Sequence, residues 1–452
     1  MDDTTTMHVQ RKALSDAARA WMLTIVHHPD PSRIGIARPL PRAGRLVLGR
    51  AATTALPQAL DADGVSREHA AIVRDGDAIR VEDLGSKNGT WVDGRRVESA
   101  PLADGAVVQL GSTLVRVHQG ALRVTRGSVG EEEGLFGISD AMAALRKELA
   151  TVAPHPTAVM VLGETGTGKE LVSRAVHGKS GRGGALVAVN CGALTDELLA
   201  SELFGHVRGA FTGAVKDKVG LIEAAAGGTL VLDELGDASP RLQAGLLRVI
   251  EESRYRPVGA TDSRPADVRW VAAAQPAIEQ RVADGDFRLD LWTRLARWVL
   301  RAPPLRDRPE DVPLLAATFA AEIAPGTAIS AELAQALMRR AWPGNVRELR
   351  SAVERLIVSA GGSALLEVQP WLTQETPLSP RAAAASEAAG EVAQPTTRRA
   401  PRSCPPREEL EALLAAHGGN LKQLADAEGI GRRTLYRWLE ERGVDPNAFR
   451  EG

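Results

Sequence analysis

The sequence predicts a multidomain protein with an N-terminal all-β sandwich, a central α/β domain with a helical lid, and a C-terminal all-α unit. Three patterns support this fold class. Short alternating strands separated by Gly and Asp turns run from Trp21 to Val117. From Leu135 to Trp371, apolar strands alternate with helical stretches, as expected for a parallel sheet covered by helices. Three short helices are predicted after residue 405.

Length and composition agree with this organisation. A chain of 452 residues exceeds what one hydrophobic core usually organises, and 44% hydrophobic with 25% charged residues is ordinary globular composition. The net charge of -2 gives no overall attraction to nucleic acid, so DNA binding needs a local basic surface. No apolar run approaches the ~18 residues that span a membrane, and the N-terminus lacks a secretion-signal pattern. We therefore expect a cytoplasmic protein with no membrane partner.

Two cysteines, Cys191 and Cys404, argue against a disulfide framework and against a cysteine metal site. Composition also predicts the domain boundaries. We expect a flexible N-terminus at residues 1–20, the sandwich at 21–120, and the α/β domain at 131–372 with its lid at about 306–372. A linker at 373–404, rich in Ala, Pro, Ser and Thr, precedes the helical unit at 405–446.

A phosphate-binding loop is predicted where GETGTGKE follows the apolar strand VMVL and opens a helix. Glycine-rich backbone and a helix N-terminus suit phosphate oxygens, and Lys169 can reach the β and γ phosphates of a nucleotide. Glu170 stands where Ser or Thr usually follows the lysine, so a glycine-rich turn without a ligand is the alternative. The predicted ATP-binding residues of this loop are Gly163, Glu164, Thr165, Gly166, Thr167, Gly168, Lys169 and Glu170.

Asp233 and Glu234 end the apolar strand in GGTLVLDE. One carboxylate can hold Mg²⁺ and the other can orient the attacking water. A single acidic residue at this place often only caps a helix. Downstream of a phosphate-binding loop, the pair predicts an ATP hydrolysis site with ATP and Mg²⁺ as its cofactors and Asp233 as the metal-holding residue.

The stretch from about Phe136 to Leu372 resembles the AAA+ domain of sigma-54-dependent transcriptional activators, also called bacterial enhancer-binding proteins. Its most specific feature is the hexapeptide GAFTGA, preceded by ELFGHVR. Glycines at both ends release the backbone and leave Phe211 and Thr212 at an exposed tip, which implies a partner. A phenylalanine folded back into the core is the alternative. The resemblance implies that sigma-54 is contacted by Gly209, Ala210, Phe211, Thr212, Gly213 and Ala214.

The same resemblance implies roles for four residues outside these motifs. The segment FRLDLWTRL is similar to an arginine-finger segment, so Arg288 and Arg294 would reach the γ-phosphate bound in a neighbouring subunit. Ordinary surface ion pairs are the alternative for both. Arg347 in WPGNVREL resembles the sensor II arginine, and Asn190 resembles the asparagine that pairs with the Walker B glutamate. Gln275 stands where the family has asparagine at sensor I. Its longer side chain can weaken the coupling of ATP hydrolysis to remodelling, but the change does not by itself indicate an inactive protein.

Three segments of the N-terminal region, RLVLGR, SREHA and SKNGT, resemble a forkhead-associated domain, a β-sandwich that binds phosphothreonine. Charge-assisted hydrogen bonds from Arg, Ser and Lys are what a phosphate dianion needs. A sandwich retained only for packing is the alternative. The resemblance implies phosphothreonine contacts from Arg50, Ser66, Arg67, Lys87 and Asn88, with His69 bracing the loops.

The C-terminal segment from residue 407 to 443 resembles a Fis-type helix-turn-helix. Leu435, Trp438 and Leu439 form an apolar stripe on its last helix. A helical bundle used only for dimerisation is the alternative. The candidate DNA contacts are the residues on the other faces: Arg432, Arg433, Thr434, Tyr436 and Arg437.

The resemblance as a whole implies a homo-oligomer, from dimer to hexameric ring, that hydrolyses ATP and remodels sigma-54 RNA polymerase holoenzyme to open promoters. Its further partners would be enhancer DNA and a phosphothreonine-containing protein or kinase. The main alternative is a non-enzymatic, nucleotide-dependent DNA-binding regulator. Gln275 is the one residue that favours this interpretation. A phosphopeptide-binding adaptor with a dispensable ATPase is a third interpretation.

Overall fold

The computed structural model describes residues 19–51, 56, 60, 62, 64–121, 134–193, 195–211, 213–373 and 405–416, with 421, 424, 438, 439 and 442–445. Thr212, residues 374–404 of the linker predicted at 373–404, and the candidate DNA contacts lie outside these residues. The chain divides into two units, Met1–Thr376 and Pro377–Gly452. Within the described residues, no helix is both long and apolar enough to cross a membrane.

Residues 19–121 form the predicted β-sandwich. Its strands are β1 Arg19–His27, β2 Ala37–Pro39, β3 Ala43–Leu48, β4 Ala70–Asp75, β5 Ala78–Asp83, β6 Thr90–Val92, β7 Arg95–Val97, β8 Ser99–Pro101, β9 Val107–Leu110 and β10 Thr113–Ala121. One sheet has the order β2-β1-β10-β9-β6-β7 and the other β3-β4-β5-β8, with antiparallel neighbours. Buried aliphatic side chains such as Leu23, Ile72 and Val115 fill the space between the sheets. The first strand starts two residues before the boundary expected at residue 21.

Residues 134–301 form the α/β core. Its strands are β11 Val159–Leu162, β12 Leu186–Asn190, β13 Thr229–Asp233, β14 Arg254–Tyr255, β15 Arg264–Pro265, β16 Arg269–Ala274 and β17 Trp298–Arg301. Its helices are α1 Asp140–Val152, α2 Lys169–Gly178, α3 Asp196–Phe204, α4 Leu221–Ala224, α5 Pro240–Glu252, α6 Ala277–Asp284 and α7 Leu289–Leu295. A 3₁₀ turn covers Leu235–Asp237.

The five main strands of the core are parallel, in the order β12-β13-β16-β11-β17, as the sequence predicts. Strands β11, β13 and β16 are almost entirely buried because helices cover both faces of the sheet. Asn190 pairs in register with Asp233, and Leu162 with Ala274. The loops after these four strands therefore meet at one edge of the sheet, where open α/β sheets bind their ligands.

Residues 305–373 form the helical lid. Its helices are α8 Val312–Ile323, α9 Ala331–Met338, α10 Asn345–Ser359 and α11 Pro370–Thr373, with 3₁₀ turns at Leu305–Asp307 and Pro309–Asp311 and a short parallel pair, β18 Ala328–Ile329 and β19 Leu365–Leu366. Ser330 caps the N-terminus of α9 by accepting a hydrogen bond from Leu333 N. Trp342 is 1% exposed at the centre of the lid core. The same apolar cluster includes Val26 and Leu114 of the sandwich, so the two domains share a core.

The C-terminal unit is described by one helix, α12 Arg407–Ala416, and by single residues that follow it. Its apolar cluster contains Leu410, Leu414, Leu421, Leu424, Trp438, Leu439 and Val444. Trp438 and Leu439, two members of the predicted apolar stripe, are buried in this cluster. Their burial is the packing that a small helical bundle requires.

Candidate nucleotide, sigma-54 and phosphothreonine sites

The edge of the central sheet opens into a cleft of about 570 Å³. Its walls include Lys169 at the start of α2, Asp233 and Glu234 after β13, Gln275 after β16, and Arg347 of α10 in the lid. Residues separated by up to 178 positions in sequence thus line one space, because the sheet topology brings the strand ends together and the lid closes over them. The cleft is therefore the candidate nucleotide site.

The loop from Gly163 to Lys169 has the backbone of a phosphate cradle. Gly166 and Gly168 have φ values of +77° and +98°, which favour glycine. A side chain on Gly166 would overlap the carbonyl oxygen of Gly344 in the lid, and Val346 N donates a hydrogen bond to Gly166 O at 3.0 Å. The loop and the lid are thus in direct backbone contact.

Lys169 is half-buried beneath this loop. Its Nζ donates hydrogen bonds to Gly163 O at 2.9 Å and Glu164 O at 3.1 Å. Burial lowers the pKa of Lys169, while Asp233 and Glu234 act in the opposite direction. An ammonium held close to two carboxylates and a glycine-rich loop suits a ligand that carries both phosphates and a divalent cation.

The two carboxylates at the end of β13 are held differently. Asp233 Oδ1 accepts a hydrogen bond from Glu234 N at 2.9 Å. Glu234 Oε2 accepts one from Asn190 Nδ2 at 2.8 Å, and Asn190 Oδ1 in turn accepts from Gly192 N at 2.8 Å. Asn190 therefore fixes one oxygen of Glu234. Glu234 itself has a φ of +51°, an uncommon conformation for a residue with a side chain.

The donor set fits Mg²⁺ bound together with a nucleotide. Within the described part of the chain, no group of three or more His, Cys, Asp or Glu side chains is placed to hold a metal ion. Mg²⁺ in nucleotide sites usually takes only one or two protein carboxylates and completes its shell with phosphate oxygens and water. Asp233 beside Lys169 meets that requirement.

Several residues of the cleft, and of the contacts beside its phosphate-binding loop, were not predicted from the sequence. Arg306 donates two hydrogen bonds to the carboxylate of Glu164, at 2.7 and 2.6 Å, and this contact lowers the pKa of Glu164. Asn345 Nδ2 donates to Thr165 O at 3.0 Å. The charged run LRDRPED contains Arg306, but nothing in that run distinguishes this arginine from its charged neighbours. The other unpredicted residues of the cleft wall include Gly236, Asp237, Arg281, Phe319, Val346 and Arg350.

The two predicted arginine fingers do not line this cleft. Arg288 is bound to Asp290 at 3.0 and 2.7 Å, and Arg294 Nε to Glu251 at 3.1 Å. Both arginine side chains are nearly half exposed. Within one chain they make surface ion pairs, and they are accessible to a second chain.

The GAFTGA loop is a tight turn after α3. Gly209 N donates to Ala214 O at 2.8 Å, and Gly209 and Gly213 have φ values of +83° and +105°. The Phe211 side chain is 43% exposed, and its ring meets the His206 ring edge-on with centroids 4.9 Å apart. Phe211 is thus neither folded into the core nor free of contacts. Thr212 lies outside the described residues.

The predicted phosphate contacts of the sandwich meet in its loops. Ser66 Oγ accepts a hydrogen bond from Lys87 N at 3.1 Å. His69 is fully buried between them: its Nδ1 accepts from Ser66 N at 3.0 Å and Nε2 lies 3.2 Å from Gly89 O. Burial lowers the pKa of His69. A neutral imidazole with one protonated nitrogen satisfies both contacts, so His69 joins the two loops.

Arg50 and Arg67 flank the same site with exposed side chains. Arg50 N donates to Ser66 O at 3.2 Å. Gly49 packs on the Arg67 backbone so closely that any side chain would overlap it. Asn88 Nδ2 donates to a loop carbonyl at 3.0 Å. The structure thus gathers Arg50, Ser66, Lys87 and Asn88 into adjoining loops.

Four family models match the chain in sequence order. They are an FHA domain at residues 46–111, a sigma-54 interaction domain at 135–301, an AAA+ ATPase lid domain at 306–374, and a bacterial regulatory protein of the Fis family at 407–441. The predicted order of domains agrees with these matches.

Several transcriptional regulators match about two thirds to three quarters of the chain. The formate hydrogenlyase transcriptional activator of Salmonella typhimurium is 39% identical over 336 residues, which are 73% of this chain and 47% of the relative. The chain thus spans about half the length of that relative. The transcriptional regulatory protein ZraR of Salmonella typhimurium is 41% identical over 68% of each chain. A crystal structure of NtrX from Brucella abortus in complex with ATP is 33% identical over 69% of each chain, with a TM-score of 0.49. On the identity to ZraR and the four matched domains, the chain belongs to the family of sigma-54-dependent transcriptional activators, with an N-terminal forkhead-associated domain and a C-terminal Fis-type helix-turn-helix.

Proposed function

We propose that this chain hydrolyses ATP and uses the energy to remodel sigma-54 RNA polymerase holoenzyme, so that promoters open. The observation that supports it best is the single cleft where Lys169, Asp233, Glu234 and Arg347 meet. The family membership and the GAFTGA turn on the same α/β core supply the target. Asn190, bound to Glu234, supports hydrolysis over nucleotide binding alone.

In this proposal each residue of the cleft has a defined task. Backbone N–H groups of the loop and the N-terminus of α2 bind the phosphates, and Lys169 turns from its carbonyl partners to the γ-phosphate. Asp233 would hold an Mg²⁺ ion bound with the nucleotide, and that ion would supply positive charge beside the phosphates. Glu234 orients the attacking water with the oxygen that Asn190 leaves available.

The active site is proposed to be shared between subunits of a homo-oligomer. Arg288 and Arg294 lie away from their own cleft and are exposed, as trans-acting residues must be. To reach a neighbour's γ-phosphate they exchange Asp290 and Glu251 for phosphate oxygens, which a guanidinium can bind with two parallel hydrogen bonds. Arg347 completes the charge around the phosphates from the lid.

The sandwich is proposed to bind phosphothreonine on a partner protein or kinase, through Arg50, Ser66, Arg67, Lys87 and Asn88. The test is binding of the full chain to threonine-phosphorylated, serine-phosphorylated and unphosphorylated peptide libraries. Arg50→Ala should abolish the preference for phosphothreonine. Arg45→Ala, which removes an exposed arginine from strand β3, is the matched control and should keep it. Equal binding of all three libraries by the native chain rejects this role.

The helix-turn-helix is proposed to bind enhancer DNA with Arg432, Arg433, Thr434, Tyr436 and Arg437, which lie outside the described residues. A phosphate contact changes the salt dependence of binding, because counterions are released from DNA. Arg437→Ala should weaken DNA binding and flatten the plot of log affinity against log salt concentration. An unchanged affinity and slope would remove Arg437 from the proposed contacts.

One experiment tests the central proposal. ATP turnover and open-complex formation are measured on a sigma-54-dependent promoter for the native chain, Phe211→Ala and Val215→Ala. We expect Phe211→Ala to lower the number of open complexes that form for each ATP hydrolysed. Val215, an 80% exposed residue just after the hexapeptide, is the control and its variant should behave as native. A native chain that binds ATP and DNA without turnover would establish the non-enzymatic regulator instead.

A further inference from the structure

The sandwich and the lid are joined by polar contacts at the rim of their common core. Gln109 Nε2 of β9 donates a hydrogen bond to Glu332 Oε1 of α9 at 2.8 Å. Arg116 of β10 reaches across the boundary, and its Nη1 lies 2.5 Å from Glu310 Oε2. The Arg116 and Glu310 side chains are only 18% and 13% exposed. An ion pair this well covered holds a fixed geometry and is costly to break on one side.

Arg116 is the cation paired with Glu310. Burial raises the pKa of Glu310, and the Arg116 guanidinium is the main influence that lowers it. Removing the guanidinium leaves a carboxyl group that is covered and has lost its cation. Moving the turn Pro309–Asp311 towards water would hydrate this carboxyl group, and that hydration favours the movement.

The turn that carries Glu310 is also attached to the nucleotide site. Asp311, fully buried, accepts hydrogen bonds from Ile138 N at 2.6 Å, from Ser139 N at 2.8 Å and from Ser139 Oγ at 2.7 Å. Arg308, 2% exposed, places Nη2 3.4 Å from Thr167 O in the phosphate-binding loop. One short segment therefore contacts both the entry to α1 and the phosphate-binding loop.

A second contact joins the same segment to that loop. Arg306 holds the Glu164 carboxylate with two hydrogen bonds, and Leu305 N donates to Asn345 Oδ1 at 2.7 Å. The segment Leu305–Asp311 is therefore fixed on one side by the sandwich and on the other by the loop that cradles phosphate. When Glu310 moves, the packed and hydrogen-bonded groups of this segment can transmit the movement to Thr167 and Glu164.

We propose that Arg116 of the forkhead-associated domain is a positioning residue for the nucleotide site: by holding Glu310, it sets the placement of the segment Leu305–Asp311 and hence the affinity of the phosphate-binding loop for ATP. The measurement of KM and kcat rests on the proposed function, because it requires ATP hydrolysis. The measurement of dissociation constants requires only that the chain binds nucleotide. The pair of Arg116 and Glu310 gives the N-terminal domain a route to the ATP site that is independent of which phosphopeptide it binds.

The test is a double-mutant cycle in the full chain with Arg116→Met, Glu310→Gln and the pair together. Dissociation constants for ATP and for ADP, and KM and kcat for ATP, are measured for each. We expect Arg116→Met to raise the ATP dissociation constant and KM by about 3- to 30-fold, the range of measured couplings between distant sites, with a smaller change in kcat. In the Glu310→Gln background the same substitution should have little further effect.

Two more variants separate positioning from general damage. Arg116→Lys keeps the positive charge and should recover most of the ATP affinity. Arg45→Met removes an exposed arginine of the same sandwich, bound to Glu82 at 3.5 Å, and should leave all four constants unchanged. If Arg116→Met does not fold, Glu310→Gln against native gives the same comparison. The proposal is overturned by native dissociation constants in both single variants, or by an Arg116→Met effect of equal size with and without Glu310. A native chain without turnover refutes the proposed function, while the dissociation constants still decide this inference.

Discussion

Gly166 is the residue at which the phosphate-binding loop touches the lid. Its φ of +77° costs any other residue about 1–2 kcal/mol, and a Cβ there would also overlap Gly344 O. We expect Gly166→Ala to push the loop away from the lid and to lower kcat/KM for ATP by roughly tenfold or more. Steady-state ATP turnover, with thermal unfolding to confirm that the chain folds, measures this.

The chain offers a matched control for that substitution. Gly181 has a φ of +70° but faces open space, so alanine there adds the backbone strain without the overlap. Gly181→Ala should lose a similar amount of stability and keep native kcat/KM. Equal loss of kcat/KM in both variants would mean that strain in the backbone, and not the contact with the lid, decides the effect.

Glu234 combines strained backbone with a carboxylate fixed by Asn190. Gln in its place keeps an oxygen for Asn190 but cannot polarise water as a carboxylate does. We expect Glu234→Gln to lower kcat by roughly 10²- to 10⁴-fold, with ATP still bound. Single-turnover hydrolysis and nucleotide binding separate the two effects. Glu252→Gln, on an exposed turn of α5 and bound to Arg248, is the control. A kcat within twofold of native in Glu234→Gln contradicts the assigned role.

At the level of whole elements, β16 is tied to the helices beside it by a buried arginine. Arg269 is 2% exposed and donates to the carbonyls of Val152 and Ala153, where α1 ends, with Val176 O of α2 at 3.5 Å. Burial lowers the pKa of Arg269. Its side chain serves carbonyls that have no partner within their own helix.

Removing that arginine should weaken the contact of α1 with the sheet. We expect Arg269→Met to reduce the free energy of unfolding by about 2 kcal/mol, because Ala153 O loses its side-chain donor and Val152 O keeps only the hydrogen bond from His155 N, while the cost of burying a charge is relieved. Arg254→Met, which removes an exposed arginine bound to Ser263, should change it by less than about 0.5 kcal/mol. Chemical denaturation of the full chain measures both. A stable Arg269→Met would show that water serves these carbonyls equally well.

The elements also show how far the sequence alone predicts the site. The phosphate-binding loop and the pair Asp233 and Glu234 lie in local patterns at strand ends, and parallel topology then brings them together. The contact of Arg306 with Glu164 joins residues 142 positions apart, and it depends on how the lid folds back. In the sequence Arg306 is one of many charged residues, and only long-range packing distinguishes it.

At the scale of the whole molecule, the main feature absent from the sequence analysis is the docking of the sandwich on the lid. Val26, Val107 and Leu114 lie near the ends of their strands and look like ordinary sandwich core residues. In the structure they share a cluster with Leu315 and Leu333 of the lid. Alternation along a strand predicts which face is buried, but it does not identify which domain covers that face.

His27 makes this docking sensitive to pH. It ends β1 at 3% exposure, and burial lowers its pKa to about 4, with His28 acting in the same direction and Glu332 of α9 against it. A histidine in unfolded chain titrates near 6.5. Because the folded pKa is the lower one, the stability that neutral His27 allows is fully present above pH 6.5 and is lost as the pH falls towards 4.

We expect the free energy of unfolding of the native chain, relative to His27→Leu, to fall by about 3 kcal/mol over that interval. Chemical denaturation at a series of pH values measures it, and His155→Leu, at an exposed histidine, should run parallel to native. Parallel curves for native and His27→Leu would mean that the pKa of His27 is the same in the folded and the unfolded chain, and that the docked sandwich tolerates acid.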